Sequence, residues 1–153
     1  MKLVQLSRTA FYRLSRTKRW TPYHPDQRFN FKTENDTTTY LGDSVETCEH
    51  ESQAEGLTST EPRYCARARV DITVWDLRQP GTELDKTTAA MVSDPEKHHR
   101  RVKSLARMAR RSGIQGILYN SVRSRKGTCL VVFLENVPAE HFRRGRWKLL
   151  VKR

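Results

Sequence analysis

Apolar and polar positions change their spacing several times along the chain, and each change marks an element. The clearest alternation is in "ARVDITVWDL" (Ala68–Leu77), where Val70, Ile72 and Val74 are interleaved with Asp71, Thr73 and Asp76. That period of two predicts a half-buried strand. "TTTYLG" (Thr37–Gly42) is rich in β-branched and aromatic residues and is a second strand, and "AFYRLSR" (Ala10–Arg16) reads as a short strand or helix end. "DSVETCEHE" (Asp43–Glu51) predicts a helix, with Asp43 or Ser44 able to cap it and Glu46 in its first turn. From Pro95 to Ser112 the period becomes helical: Val102, Leu105, Ala106 and Ala109 form one apolar stripe. Asp94 is placed to cap this helix, Pro95 to open it and Gly113 to end it. Lys103, Arg107, Arg110 and other cations occupy its remaining faces. Two apolar runs follow, Ile117–Tyr119 and Cys129–Phe133, and then the apolar-centred "RWKLLVKR".

The stretches between these elements read as connections. "TKRWTPYHPDQ" (Thr17–Gln27) holds two prolines, and "SQAEGLTSTEP" (Ser52–Pro62) is a polar, mobile connection. The predicted order is β, β-α, β, α, β, β, β. That order implies an α+β fold: one compact domain over residues 1–153, with a mixed or antiparallel sheet and flanking helices. A chain of 153 residues is long enough for one core and too short for two.

Charge changes this picture. Residues 97–153 hold 16 Lys and Arg against two acids and so carry +14; the total is +12, which leaves −2 for residues 1–96. A cationic segment of this kind attracts polyanions: nucleic acid, phosphorylated ligands or an acidic protein partner. Cys48, Cys65 and Cys129 are an odd set without the spacing of a disulfide framework, and a cytoplasmic location is the expectation. No run approaches the ~18 apolar residues of a membrane span. The first residues lack the apolar core of a signal peptide. No paired Cys/His spacing suggests a metal, and no glycine-rich phosphate loop is present.

Candidate chemistry gathers at element ends: Arg13 after Phe11-Tyr12, Arg28 in "RFN", Tyr40 in a strand, Glu51 at the end of a helix, and Ser121 and Arg123 in the cationic tip of "GILYNSVRSRKGTCLVVF". Three of these blocks, "RFN", "TYLGDSVETCEHE" and "GILYNSVRSRKGTCLVVF", together resemble the RES-domain family. Tyr40 and Glu51 lie eleven positions apart, as in that family's strand–helix segment. Asn120 stands where the family commonly has proline before its serine.

The resemblance implies an ADP-ribosyltransferase-like fold and an enzyme that uses NAD as substrate. Such an enzyme cleaves the nicotinamide–ribose bond by phosphorolysis or hydrolysis, or transfers ADP-ribose to a protein. It also implies a toxin restrained by a cognate helix-turn-helix antitoxin, with DNA reached only through that antitoxin. The functional residues it implies are Glu51, Ser121 and Tyr40 for catalysis, and Arg13, Arg28, Tyr40, Ser121 and Arg123 for holding NAD. The competing reading of the charge is a basic nucleic-acid-binding module without enzymatic activity.

Overall fold

The computed structural model describes residues 1–20, 29, 37–54, 63–94 and 96–150. Among them, strands and helices follow in the order β1 (Leu3–Ser15), β2 (Thr38–Gly42), α1 (Val45–Ala54), β3 (Tyr64–Asp76), α2 (Glu83–Ser93), α3 (His99–Arg111), β4 (Gly116–Asn120), β5 (Thr128–Phe133), β6 (Phe142–Arg144) and β7 (Lys148–Leu149). The α+β expectation is borne out, with a mixed sheet: β3 and β4 run parallel, and the other pairings are antiparallel.

β3 is the hub. One edge pairs with β1 along most of its length, from Leu3–Trp75 to Ser15–Tyr64. The other edge pairs with β7 and β6 over its first half and with β4 at its end. The order continues β4-β5-β2, and β2 meets β1 again at Tyr12–Gly42. The pairings therefore return on themselves, through the single residue pair Tyr12–Gly42.

Each face of this sheet is buried, and alternation decides which residue goes where. Leu6, Phe11, Leu41, Ala68, Val70, Ile72, Val74, Leu118, Leu130 and Val132 form one core. Residues of opposite parity, among them Trp75, Ile117, Tyr119, Cys129, Val131 and Phe133, join Val92 of α2 and Val102, Ala106 and Ala109 of α3 in the other. The site described below lies on this second face.

The stripe on α3 packs as its spacing predicts: Val102, Ala106 and Ala109 are buried and Leu105 is half-buried. The helix ends in a Schellman-type turn. Gly113 takes a φ of 79°, and the Ile114 amide bonds Ala109 O at 3.0 Å. Its start differs from expectation. Asp94 closes α2 instead of capping α3, its N–H bonding Met91 O, and the N-cap is His98, which makes no side-chain cap bond. Pro95 lies outside the described residues.

α2 has no counterpart in the order predicted from the apolar pattern. Thr82 caps it by accepting from the Asp85 amide, and its buried residues are Asp85, Thr88 and Val92, so its inner face is largely polar. Not all of the α3 cations are on the surface. Arg110 is buried, with Nε 2.5 Å from Glu135 Oε1, its guanidinium 4.2 Å above the Phe133 ring, and Nη1 donating to Phe29 O. Lys103 is buried as well.

Candidate active site

α1 follows β2 after two residues, and its first turn is tightly tied. Ser44 Oγ accepts from the Thr47 amide at 3.0 Å, the role of an N-cap side chain. Thr47 Oγ1 donates to Asp43 Oδ1 at 2.7 Å. Gly42 lets the helix come close to the strand: a Cβ there would stand 2.8 Å from Cys48 Sγ. Cys48 Sγ in turn reaches Tyr12 O of β1 at 3.2 Å. α1 is therefore docked against both β1 and β2, and Glu51 lies one turn beyond Cys48.

The turn between β4 and β5 comes to the same helix. Its ends are joined by the Ser121 amide donating to Gly127 O at 2.9 Å. At Gly127 a Cβ would overlap Thr47 Oγ1, so only glycine lets the turn rest on the start of α1. Inside the turn, Ser121 Oγ accepts from the amides of Arg123 at 3.2 Å and Ser124 at 3.0 Å. With those two acceptor positions taken, the one hydroxyl proton is left for another partner. That partner is Glu51, whose Oε1 lies 2.5 Å from Ser121 Oγ. Cys129 Sγ, on the first residues of β5, lies 3.6 Å from the same oxygen.

The thiols around this carboxylate are inert. Burial pushes Cys48 up to about 12, and burial together with the charge of Glu51 pushes Cys129 well above the usual thiol range. Neither offers a thiolate near neutral pH. Ser121 is held as a donor to a carboxylate, and among the described residues no histidine is bonded to it that could take its proton. The arrangement is that of a positioned carboxylate, not of a serine or cysteine nucleophile.

The RES domain profile matches residues 5–147, which spans β1 to the segment before β7. The chain belongs to the RES domain family. Its fold is similar to that of the MbcT toxin in the crystal structure of the M. tuberculosis MbcT–MbcA toxin–antitoxin complex, with a TM-score of 0.67 and 20% identity over 97% of this chain and 87% of that one. No curated protein sequence matches it.

Within this RES domain the other candidate residues are placed as follows. Tyr40 is half-buried on β2 opposite Val131, and its side chain packs against the same core as Cys129 and Tyr119. Phe29 is fully buried between the two tyrosines, 6.2 Å from Tyr40 and 5.5 Å from Tyr119 between ring centroids. Arg13 is half-buried on β1 opposite Ala66, next to Tyr12, the residue of β1 that pairs with Gly42. Arg28 lies outside the described residues, but its neighbour Phe29 is anchored from two sides, by the tyrosine rings and by the Arg110 guanidinium at its carbonyl. Arg123 is exposed and touches Ser121 through its backbone amide.

Sequence reasoning misses three participants. Cys129 reads only as part of an apolar strand, nothing local singles out Thr47, and Gly127 reads only as the glycine of a turn, with no sign that it rests on Thr47. Their roles depend on contacts 78 and 80 positions apart in sequence, Glu51 with Cys129 and Thr47 with Gly127, which no local pattern carries. Among the described residues, no cluster of three or more His, Cys, Asp or Glu side chains is arranged to hold a metal ion. No helix among them is long and apolar enough to cross a membrane.

Proposed function

We propose that this RES domain cleaves the nicotinamide–ribose bond of NAD and acts as the toxin of a toxin–antitoxin pair. The observation that carries the reading is the 2.5 Å contact between Ser121 Oγ and Glu51 Oε1, which holds a carboxylate still at the meeting point of a helix and a strand turn. The bond to be broken joins ribose C1′ to a ring nitrogen that is already cationic. Its electron pair returns to the ring, the nicotinamide leaves neutral, and no acid is needed. The difficulty lies in the positive charge that grows on the ribose. A fixed carboxylate answers that charge, either directly or by accepting a hydrogen bond from the 2′-hydroxyl.

Glu51 has this role. Ser121 keeps it oriented, and Tyr40 offers a ring face and a hydroxyl to the nicotinamide end. Arg13 and Arg28 clamp the pyrophosphate through paired, charge-assisted bonds, with Arg123 adding attraction from the rim. An oxygen of phosphate or water then bonds to C1′, water losing its proton in the process. A protein side chain as acceptor gives ADP-ribosyl transfer by the same first step. The cognate partner is a helix-turn-helix antitoxin, through which the complex reaches DNA, in the cytoplasm.

The nucleic-acid-module reading is the less well supported. Arg110 and Lys103, two of the cations that make α3 look like a basic recognition surface in the sequence, are buried. The test is to incubate the protein with NAD, with and without phosphate, and to separate the products by chromatography. Free nicotinamide is expected, with ADP-ribose in water or its 1″-phosphate when phosphate is the acceptor. Intact NAD after prolonged incubation overturns the reading, and ADP-ribose on lysate proteins by mass spectrometry redirects it to transfer.

A further inference from the structure

The two oxygens of Glu51 are treated differently. Ser121 Oγ at 2.5 Å and Cys129 Sγ at 3.6 Å both reach Oε1, and among the described residues nothing bonds Oε2. A carboxylate bonded through both oxygens has little left to offer a substrate. One bonded through neither keeps its rotational freedom, which must be lost again on reaction. Glu51 lies between these extremes.

Cys129 is itself well fixed. It is 4% exposed, on a central strand, with Tyr119 opposite on β4 and Gly42 opposite on β2. Its neighbour Cys48 is already turned to Tyr12 O, so Cys129 is the thiol that serves Glu51. We propose that Cys129 is a positioning residue: with Ser121 it fixes Glu51 through Oε1 and so reserves Oε2 for the ribose. This rests on the reading of Glu51 as the working carboxylate.

Sulfur suits the place. A thiol is a weak donor, enough to add a second hold on an oxygen that the Ser121 hydroxyl already holds. Because the buried thiol stays protonated, its donor is present throughout the neutral range.

Two readouts test this. In steady-state NAD cleavage, Cys129→Val keeps the volume and removes the donor, and Cys129→Ser keeps a donor. The expectation for Cys129→Val is a kcat lower by about tenfold with KM unchanged, whereas Cys129→Ser retains most of the rate. Melting temperatures measured alongside show whether either variant is merely unfolded. The second readout needs no turnover: the infrared S–H stretch of Cys129, assigned by its absence from Cys129→Ser. It should lie at the lower frequency of a hydrogen-bonded thiol and rise in Glu51→Ala. Equal rate losses in folded Cys129→Val and Cys129→Ser, or an S–H band indifferent to Glu51→Ala, overturns the proposal. If the wild-type protein fails to consume NAD while the band shifts as expected, the NAD reading falls and the held oxygen stands.

Discussion

Asp85 and Glu51 are both drawn into the protein by donors from distant parts of the chain, but the donors are distributed differently. Asp85 is fully buried, and both of its oxygens are used. Trp75 Nε1 donates to Oδ1 at 2.8 Å, and the Lys2 amide lies 3.3 Å from Oδ1 and 3.1 Å from Oδ2. It ties the start of β1, the end of β3 and α2 together. Glu51 is only half-buried, and both of its donors fall on one oxygen. A carboxylate whose bonds are all made inside the protein serves the fold. One held by half of itself is available for chemistry, and its surroundings explain why: a helix docked through Gly42 and a turn docked through Gly127.

The largest effect expected on the structural side of this comparison is at Asp85. In Asp85→Ala the buried Trp75 indole loses its acceptor and the Lys2 amide loses both of its contacts. The loss of stability should be about 3 kcal/mol, measured by denaturant titration. A loss no larger than that of an average surface substitution would mean that Asp85 is not the tie described here.

Acid should act on the same site by a smaller step. Burial pushes the Asp85 carboxyl upward, but the bonds from Trp75 and Thr82 outweigh it and hold it below its ordinary value of 3.8. Asp76 is similar, with burial opposed by the side chain and amide of Arg78. Both groups bind protons less readily folded than unfolded. Their contribution is therefore complete above the unfolded value and is lost as pH falls through the lower folded values. Thermal melting from neutral pH down to strong acid should show a steep fall at the acid end that is shallower in Asp85→Asn. Parallel curves for the two proteins would remove Asp85 from the acid response.

The smallest effect is on the cationic surface. Arg69 on β3 and Arg143 on β6 are both exposed and stand directly opposite each other, a like-charge pair that weakens the ladder. Arg143→Glu should stabilise the protein by about 0.2–1 kcal/mol, less in high salt. Destabilisation would show that the two side chains do not meet.

What can be read in advance follows physical lines. The alternation of β3 and the apolar stripe of α3 are local, repeated signals, and both are legible. β1 reads too short in the sequence because Leu3–Ser15 mixes polar and apolar residues on both faces and its register shifts between Leu6 and Thr9, where Arg8 takes a φ of 46°. α2 escapes because its inward residues include Asp85 and Thr88, which a search for apolar periodicity passes over. Missing α2 also misplaces Asp94, a good cap residue by type that in fact ends one helix instead of beginning the next.

The site divides in the same way. Glu51 and Ser121 follow from motif resemblance, and the structure joins them by a direct hydrogen bond. Cys129 has no such signal, since a cysteine in an apolar strand reads as core. Arg110 looks like one more surface cation, yet it holds Phe29 and Glu135 from inside.

The central claim is that Glu51 meets the charge that develops on the ribose. It is tested most directly by the initial rate of NAD cleavage at saturating substrate in Glu51→Gln. Glu49→Gln is the control, since Glu49 lies on the same helix and its charge acts on Cys65. The account predicts a loss of roughly a hundred- to a thousand-fold for Glu51→Gln, with unchanged melting, and little loss for Glu49→Gln. Near wild-type turnover in a folded Glu51→Gln, or an equal loss in Glu49→Gln, would contradict it.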